Sequence, residues 1–68
     1  MLLGEELRKA RLAAELTQEE LAFKADVSRN YVSLLELGEK SPTVQLLLRI
    51  CNALDVKAST IVAKVERK

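Results

Sequence analysis

The sequence predicts an all-α fold, a small bundle of five helices. Apolar residues recur at intervals of three and four, and no segment shows the strict alternation typical of a strand. Residues that favour helix N-caps stand before several of these segments. Hydrophobic residues make up 49% of the chain but aromatic residues only 3%, a composition suited to close packing between short helices. The 68 residues predict one domain, 1–68, near the lower size limit for independent folding.

The N-terminal third of the chain predicts two amphipathic helices, the first from about Gly4 to Ala14. Its inner side carries apolar residues at helical spacing: Leu3, Leu7, Ala10 and Ala14. Its outer side is charged and is expected to face water: Glu5, Glu6, Arg8 and Lys9. The second helix is predicted from Gln18 to Ala25, because Thr17 and Glu20 match a capping box. Its apolar face includes small residues that allow close helix packing: Leu21, Ala22 and Ala25.

A third helix is predicted from Arg29 to Leu37. The turn before it, at Asp26 and Val27, is too short for the second and third helices to lie side by side. Ser28 is a favoured N-cap residue, and Gly38 is a natural C-terminal stop. The inner side of the third helix carries Val32 and Leu35.

The outer side of the third helix carries hydrogen-bonding groups near its N-terminus: Arg29, Asn30 and Ser33. The guanidinium of Arg29 could reach O6 and N7 of a guanine, and the amide of Asn30 could pair with an adenine. A helix with such groups at its leading end fits the major groove of DNA. The plainer alternatives are an arginine that is solvated or contacts only phosphate, and an asparagine that caps the helix. Leu34, on the same side, could contact a thymine methyl group.

The C-terminal third predicts two more helices. Thr43 caps the fourth, which reaches about Leu54. The fifth runs from about Ser59 to about Glu66. The fourth helix is apolar around most of its circumference, so we expect neighbours on two sides and some apolar surface left for a second subunit. The predicted dimer surface joins its outer edge to the fifth helix: Leu46, Ile50, Val62 and Val65.

Four short motifs follow one another between residues 16 and 38: Leu16-Thr17-Gln18-Glu19-Glu20-Leu21-Ala22, Val27-Ser28-Arg29, Tyr31-Val32 and Leu35-Glu36-x-Gly38. In this order and spacing they resemble the helix-turn-helix of the Cro/CI-type (XRE-like) repressor family. The likeness extends from about Glu5 to about Val65. It implies a lambda-repressor-like DNA-binding fold in which the second and third helices form the helix-turn-helix. It also implies a sequence-specific transcriptional regulator that binds double-stranded DNA as a homodimer on a palindromic operator, like phage-type repressors and restriction-modification controller proteins.

The motif positions also suggest roles for particular residues. Base contacts are expected from Arg29, Asn30, Ser33 and Leu34. Phosphate contacts are expected from Gln18, Ser28, Tyr31, Lys40 and Thr43. Arg11 and Glu36 match a partly buried ion pair of the family that fixes the angle of the third helix.

Three residues depart from the family pattern. Asp26 stands where glycine is usual, and Leu34 and Leu37 stand where polar or basic residues are common. The two leucines could instead dock a protein partner. One alternative function is therefore an antitoxin. Such a protein would bind DNA with the same fold and would hold a toxin through these leucines or the fifth helix. The other is a helical protein–protein adaptor that no longer binds DNA, which the low net charge of +1 also favours.

The charges are unevenly distributed along the chain. Residues 1–27 hold six acidic and four basic residues, whereas residues 28–68 hold seven basic and four acidic ones. Positive charge therefore begins at the third helix, where attraction to phosphate is expected.

The composition argues against several classes of function. Cys51 is the one cysteine and there is no histidine, so the sequence offers no internal disulfide, zinc site or Cys–His catalysis. We expect Cys51 to be a buried packing residue. We expect no enzymatic activity, metal, cofactor or small-molecule effector. No apolar run reaches the roughly 18 residues that cross a membrane, and a cytoplasmic location is expected.

Overall fold

The computed structural model describes residues 2–66, with side chains from residue 3 onward. Five α-helices and no strand occur in this part of the chain: α1 (Leu2–Ala13), α2 (Gln18–Ala25), α3 (Arg29–Leu37), α4 (Val44–Ala53) and α5 (Ala58–Glu66). The prediction of an all-α fold with five helices is confirmed. α2 and α3 have the predicted bounds, whereas α1 begins at Leu2 rather than at Gly4. None of these helices is both long and apolar enough to cross a bilayer.

Three helices begin at the predicted caps. The Thr17 hydroxyl accepts from the Glu20 amide at 3.0 Å, and the Glu20 carboxylate accepts from the Thr17 amide at 2.8 Å, which completes the capping box. The Ser28 hydroxyl accepts from the Tyr31 amide at 3.0 Å and so caps α3. Thr43 caps α4 in the same way. Because each cap satisfies an otherwise unpaired amide, the start of each helix is determined locally.

The helices contact one another in a closed ring, in the order α1–α3–α2–α4–α5 and back to α1. The core lies inside this ring, and every helix contributes to it: Leu7, Leu21, Ala22, Ala25, Val32, Leu35, Ile50, Cys51, Leu54 and Ile61. Cys51 is buried, as predicted, and burial raises the pKa of its thiol. The thiolate is therefore disfavoured, which argues against a reactive cysteine.

α1 departs from its predicted faces at two positions. Glu6, expected to face water, is buried, and its carboxylate lies 3.7 Å from the Lys9 ammonium. Ala14, expected on the inner side, is exposed and lies just beyond the last residue of α1. Since α1 contacts both α3 and α5, its buried surface is wider than a single stripe, and Glu6 lies within it.

The predicted dimer surface is wrong at Ile50. This side chain is only 1% exposed and belongs to the core of its own chain, because α4 turns it towards the other helices. The exposed apolar side chains of α4 are instead Val44, 75% exposed, and Leu48, 53% exposed. They stand four residues apart and therefore share one edge of the helix.

A close approach of α1 to α3 occurs at Gly4. A Cβ atom on Gly4 would collide with the carbonyl oxygen of Leu35, and it would lie 2.9 Å from that of Glu36. The missing side chain therefore lets α1 lie directly against the backbone of α3.

Candidate nucleic-acid interface

The N-terminal end of α3 presents its side chains to solvent. Arg29 and Asn30 are both exposed, and Ser33 and Leu34, further along, are half-buried. Ser28, and not Asn30, is the residue that caps α3. The amide of Asn30 is thus not used as the helix cap. The four residues predicted to contact bases accordingly lie at the leading end and outer side of one helix, whose inner side is buried.

The residues predicted to contact phosphate lie before α3, in its first turn and in the loop that follows it. Ser28 directly precedes α3, and Tyr31 is half-buried in its first turn. Lys40 and Thr43 are exposed in the loop before α4, and Gln18 is half-buried at the start of α2. Capped helix N-termini offer amide groups and a positive dipole end, both of which favour an anion.

The carboxylate of Glu36 joins α3 to the two preceding helices. It accepts from Arg11 Nε at 2.6 Å and from Arg11 Nη2 at 3.1 Å, a two-point ion pair. Gln18 Nε2 donates to the same carboxylate at 3.0 Å, and Arg11 Nη1 donates to the carbonyl of Leu16 at 2.8 Å. The ion-paired side chains are only 9% and 4% exposed, so the cost of removing them from water offsets much of their attraction.

The turn between α2 and α3 has a left-handed residue at Asp26, with φ 59° and ψ 48°. The amide of Val27 donates to the Ala22 carbonyl at 3.0 Å, and the amide of Asp26 donates to the Phe23 carbonyl at 3.3 Å. These two bonds form a Schellman motif, which ends α2. Glycine would adopt this left-handed conformation without strain, but aspartate does not. The backbone is therefore strained at the turn that leads into α3.

Arg49 of α4 reaches this same turn, a contact that the sequence analysis missed. Its Nη2 donates to the carbonyls of Ala25 and Asp26 at 2.8 and 2.7 Å, and its Nε donates to that of Ala25 at 3.2 Å. The Asp26 carboxylate lies 3.6 Å away but is fully exposed, so that ion pair contributes little. An arginine on the narrow polar side of a mostly apolar helix was the one signal in the sequence, and it did not identify the partner.

A metal centre finds no support in residues 3–66. No group of three or more cysteine, aspartate and glutamate residues in this part of the chain could hold a metal ion. The exposed end of α3 and the polar groups around it are therefore the best candidate for a functional site.

Comparison with known proteins identifies the family of the chain. The helix-turn-helix family model matches residues 7–61, from α1 into α5. The transcriptional regulator ClgR of Mycobacterium tuberculosis (strain CDC 1551 / Oshkosh) is 38% identical over 60 residues, which cover 88% of this chain and 54% of ClgR. The chain therefore spans about half the length of this curated relative.

Two solved structures extend the similarity to the fold. The clp gene regulator ClgR of Corynebacterium glutamicum superposes with a TM-score of 0.92 at 34% identity, over 96% of this chain and 69% of that one. The restriction-modification controller protein C.AhdI of Aeromonas hydrophila gives a TM-score of 0.85 at 34% identity, over 87% and 86% of the two chains. The chain belongs to the helix-turn-helix family of XRE-type transcriptional regulators.

Proposed function

We propose that this chain binds an operator in double-stranded DNA sequence-specifically, as a homodimer, and regulates transcription by occupying it. The observation that carries the proposal is the exposure of Arg29 and Asn30 at the leading end of α3. The Glu36 network and the contact at Gly4 hold that helix against α1 and α2. A helix held in this way can present the same side chains to each operator it meets.

Base readout is assigned to the outer side of α3. Arg29 donates two hydrogen bonds to a guanine, and Asn30 pairs with an adenine. Ser33 and Leu34, being half-buried, reach the groove with only part of their side chains, the hydroxyl for a hydrogen bond and the methyl groups for a thymine.

Phosphate contacts set the register of α3 in the groove. The carboxamide of Gln18 has two N–H donors, one of which goes to Glu36, and the other is assigned to a phosphate. The hydroxyls of Ser28 and Tyr31 contact the phosphates beside α3, while Lys40 and the N-terminus of α4 at Thr43 contact the backbone further along.

A homodimer places two copies of α3 in successive major grooves about 34 Å apart. We assign its interface to apolar side chains of α4 and α5, with Val62 and Val65 contributed by α5. On α4 we favour the exposed edge formed by Val44 and Leu48. Leu46 is half-buried and lies about 160° around the helix from Leu48, so it is not part of that edge.

The first experiment selects duplexes from random DNA and then measures affinity for the retained sequence against salt concentration. We expect a palindromic consensus and an affinity that falls steeply with salt. Arg29→Ala should weaken binding about 10- to 100-fold and relax selection at one base pair of each half-site. Lys40→Ala should weaken specific and random duplexes alike and reduce the salt slope by about 1.

Lys57→Ala is the matched control, since it removes one exposed positive charge from the link between α4 and α5. It should leave both the affinity and the base preference nearly unchanged. If the wild-type chain retains no preferred sequence, or if Arg29→Ala binds as the wild type does, the proposal is wrong.

A second candidate is an antitoxin that also holds a protein partner. The exposed Leu37 at the end of α3 favours it, because a large apolar side chain there serves no purpose in phosphate binding. In that case Leu37→Lys should abolish complex formation with a co-expressed toxin while leaving operator binding intact.

A further inference from the structure

We propose that Arg49 is a positioning residue for DNA binding: it holds the turn between α2 and α3 in the conformation that aims α3, without itself contacting DNA. This inference rests on the proposed function. It adds a role for α4, a helix that carries none of the residues assigned to base contacts.

Arg49 binds carbonyls at the end of α2 that accept no hydrogen bond within the Schellman motif. The Schellman motif uses the carbonyls of Ala22 and Phe23, whereas those of Ala25 and Asp26, beyond Lys24, receive the guanidinium. Carbonyls at a helix C-terminus carry partial negative charge, so a cation there is doubly favourable. The planar fork of arginine can reach two adjacent carbonyls together, which a single ammonium group does poorly.

The bound carbonyls flank the strained residue of the turn. Asp26 has a left-handed backbone, which costs a non-glycine residue free energy, and both of its peptide neighbours affect the direction of the chain into Ser28. The Glu36 network holds the C-terminal half of α3, whereas Arg49 acts before the first turn. The two attachments therefore fix α3 at both ends.

The test measures operator affinity and its salt dependence for variants of Arg49. Arg49→Gln should weaken binding about tenfold, the loss expected when a charge-assisted, two-point contact is removed. The salt slope should stay at the wild-type value, because no phosphate contact is lost. Arg49→Lys should recover little of the affinity although it keeps the charge. Fractions of active protein are measured by stoichiometric titration, so that unfolding is not counted as weak binding.

A substitution at the strained residue supplies the rescue. Asp26→Gly relieves the left-handed backbone, and Asp26→Asn removes the same charge while keeping a side chain. The quantity compared is the gain in operator affinity of Asp26→Gly over Asp26→Asn. This gain should be larger in the Arg49→Gln background than in the wild type. Equal improvement in both backgrounds would show that Arg49 does not hold the turn.

Amide hydrogen exchange tests the contact without DNA. The amides of Asp26 and Val27 should exchange about tenfold faster in Arg49→Gln, because the turn opens more often. Gln45→Ala, at an exposed polar residue of the same helix, should not change them. Unchanged exchange, or a salt slope reduced by about 1, would overturn the inference. If instead the wild type binds no DNA, the proposed function fails, and the exchange rates still report on the turn.

Discussion

At the scale of single residues, the position of α3 depends on side chains that are small or forked. Gly4 permits backbone contact between α1 and α3, and Glu36 accepts from both Arg11 and Gln18. Arg49 binds the carbonyls of the turn. None of these side chains is among those assigned to base contacts, yet each restricts the direction of the helix that makes those contacts.

Gly4→Ala tests the contact between α1 and α3. The added methyl group collides with backbone atoms, which cannot rotate away. Overpacking costs about 1–3 kcal/mol, and the better helix propensity of alanine offsets about 1 kcal/mol of it. We expect a net loss of up to roughly 2 kcal/mol in the free energy of unfolding, measured in urea.

The control for Gly4→Ala is Ala13→Gly, an exposed position of the same helix that measures the propensity effect alone. If Gly4→Ala proves more stable than the wild type, the close approach of the two helices is not as the structure describes it.

At the scale of the element, α3 is too short to be stable by itself. An isolated helix of nine residues is marginal in water, so α3 relies on its cap and on tertiary contacts. Ser28 caps the helix and is also assigned to a phosphate, and the two roles make different demands on the side chain.

Substitution of Ser28 separates these roles. Ser28→Ala removes the cap and should lower the free energy of unfolding by about 1 kcal/mol. Ser28→Asp keeps a good cap but places a negative charge where a phosphate is expected. We therefore expect near wild-type stability for Ser28→Asp, together with weaker operator binding than for Ser28→Ala. Ser28→Asp with undiminished affinity would remove Ser28 from the phosphate contacts.

At the scale of the whole molecule, a closed ring of five short helices encloses a small core. A core of this size gives limited stability, to which a second subunit can add. The same ring leaves large apolar side chains outside: Leu12, Phe23, Leu37, Val44, Leu48 and Val62. Two of these, Val44 and Leu48, lie on one edge of α4, which we assign to the dimer.

Leu48→Glu tests the dimer surface by sedimentation equilibrium. A carboxylate buried between subunits would lack a partner, so we expect the dimer to dissociate at concentrations where the wild type remains dimeric. Because Leu48 is 53% exposed, the monomer should remain folded. Leu12→Glu on α1, at a leucine that is 49% exposed, is the matched control and should leave the dimer intact. The opposite pattern would place the interface on α1.

The helices themselves and their caps could be predicted from the sequence, because helix periodicity and N-capping act between residues three or four positions apart. The bounds of α2 and α3 and the caps at Thr17, Ser28 and Thr43 are of this kind. Once the bounds and the cap of α3 are known, its N-terminal end is expected to face solvent, because the outer side there is polar. The Arg11–Glu36 pair, in contrast, was expected only from the family resemblance.

Contacts between distant residues depended on how the helices pack. Arg49 and Ala25 are 24 residues apart, and neither their spacing nor their residue types indicates that they meet. The same holds for the close approach at Gly4. α4 is apolar on several sides, so its composition did not decide that Ile50 faces the core and Leu48 faces solvent. Which side of α4 faces the core depends on the rotation of the helix about its own axis. All the neighbouring helices together set that rotation.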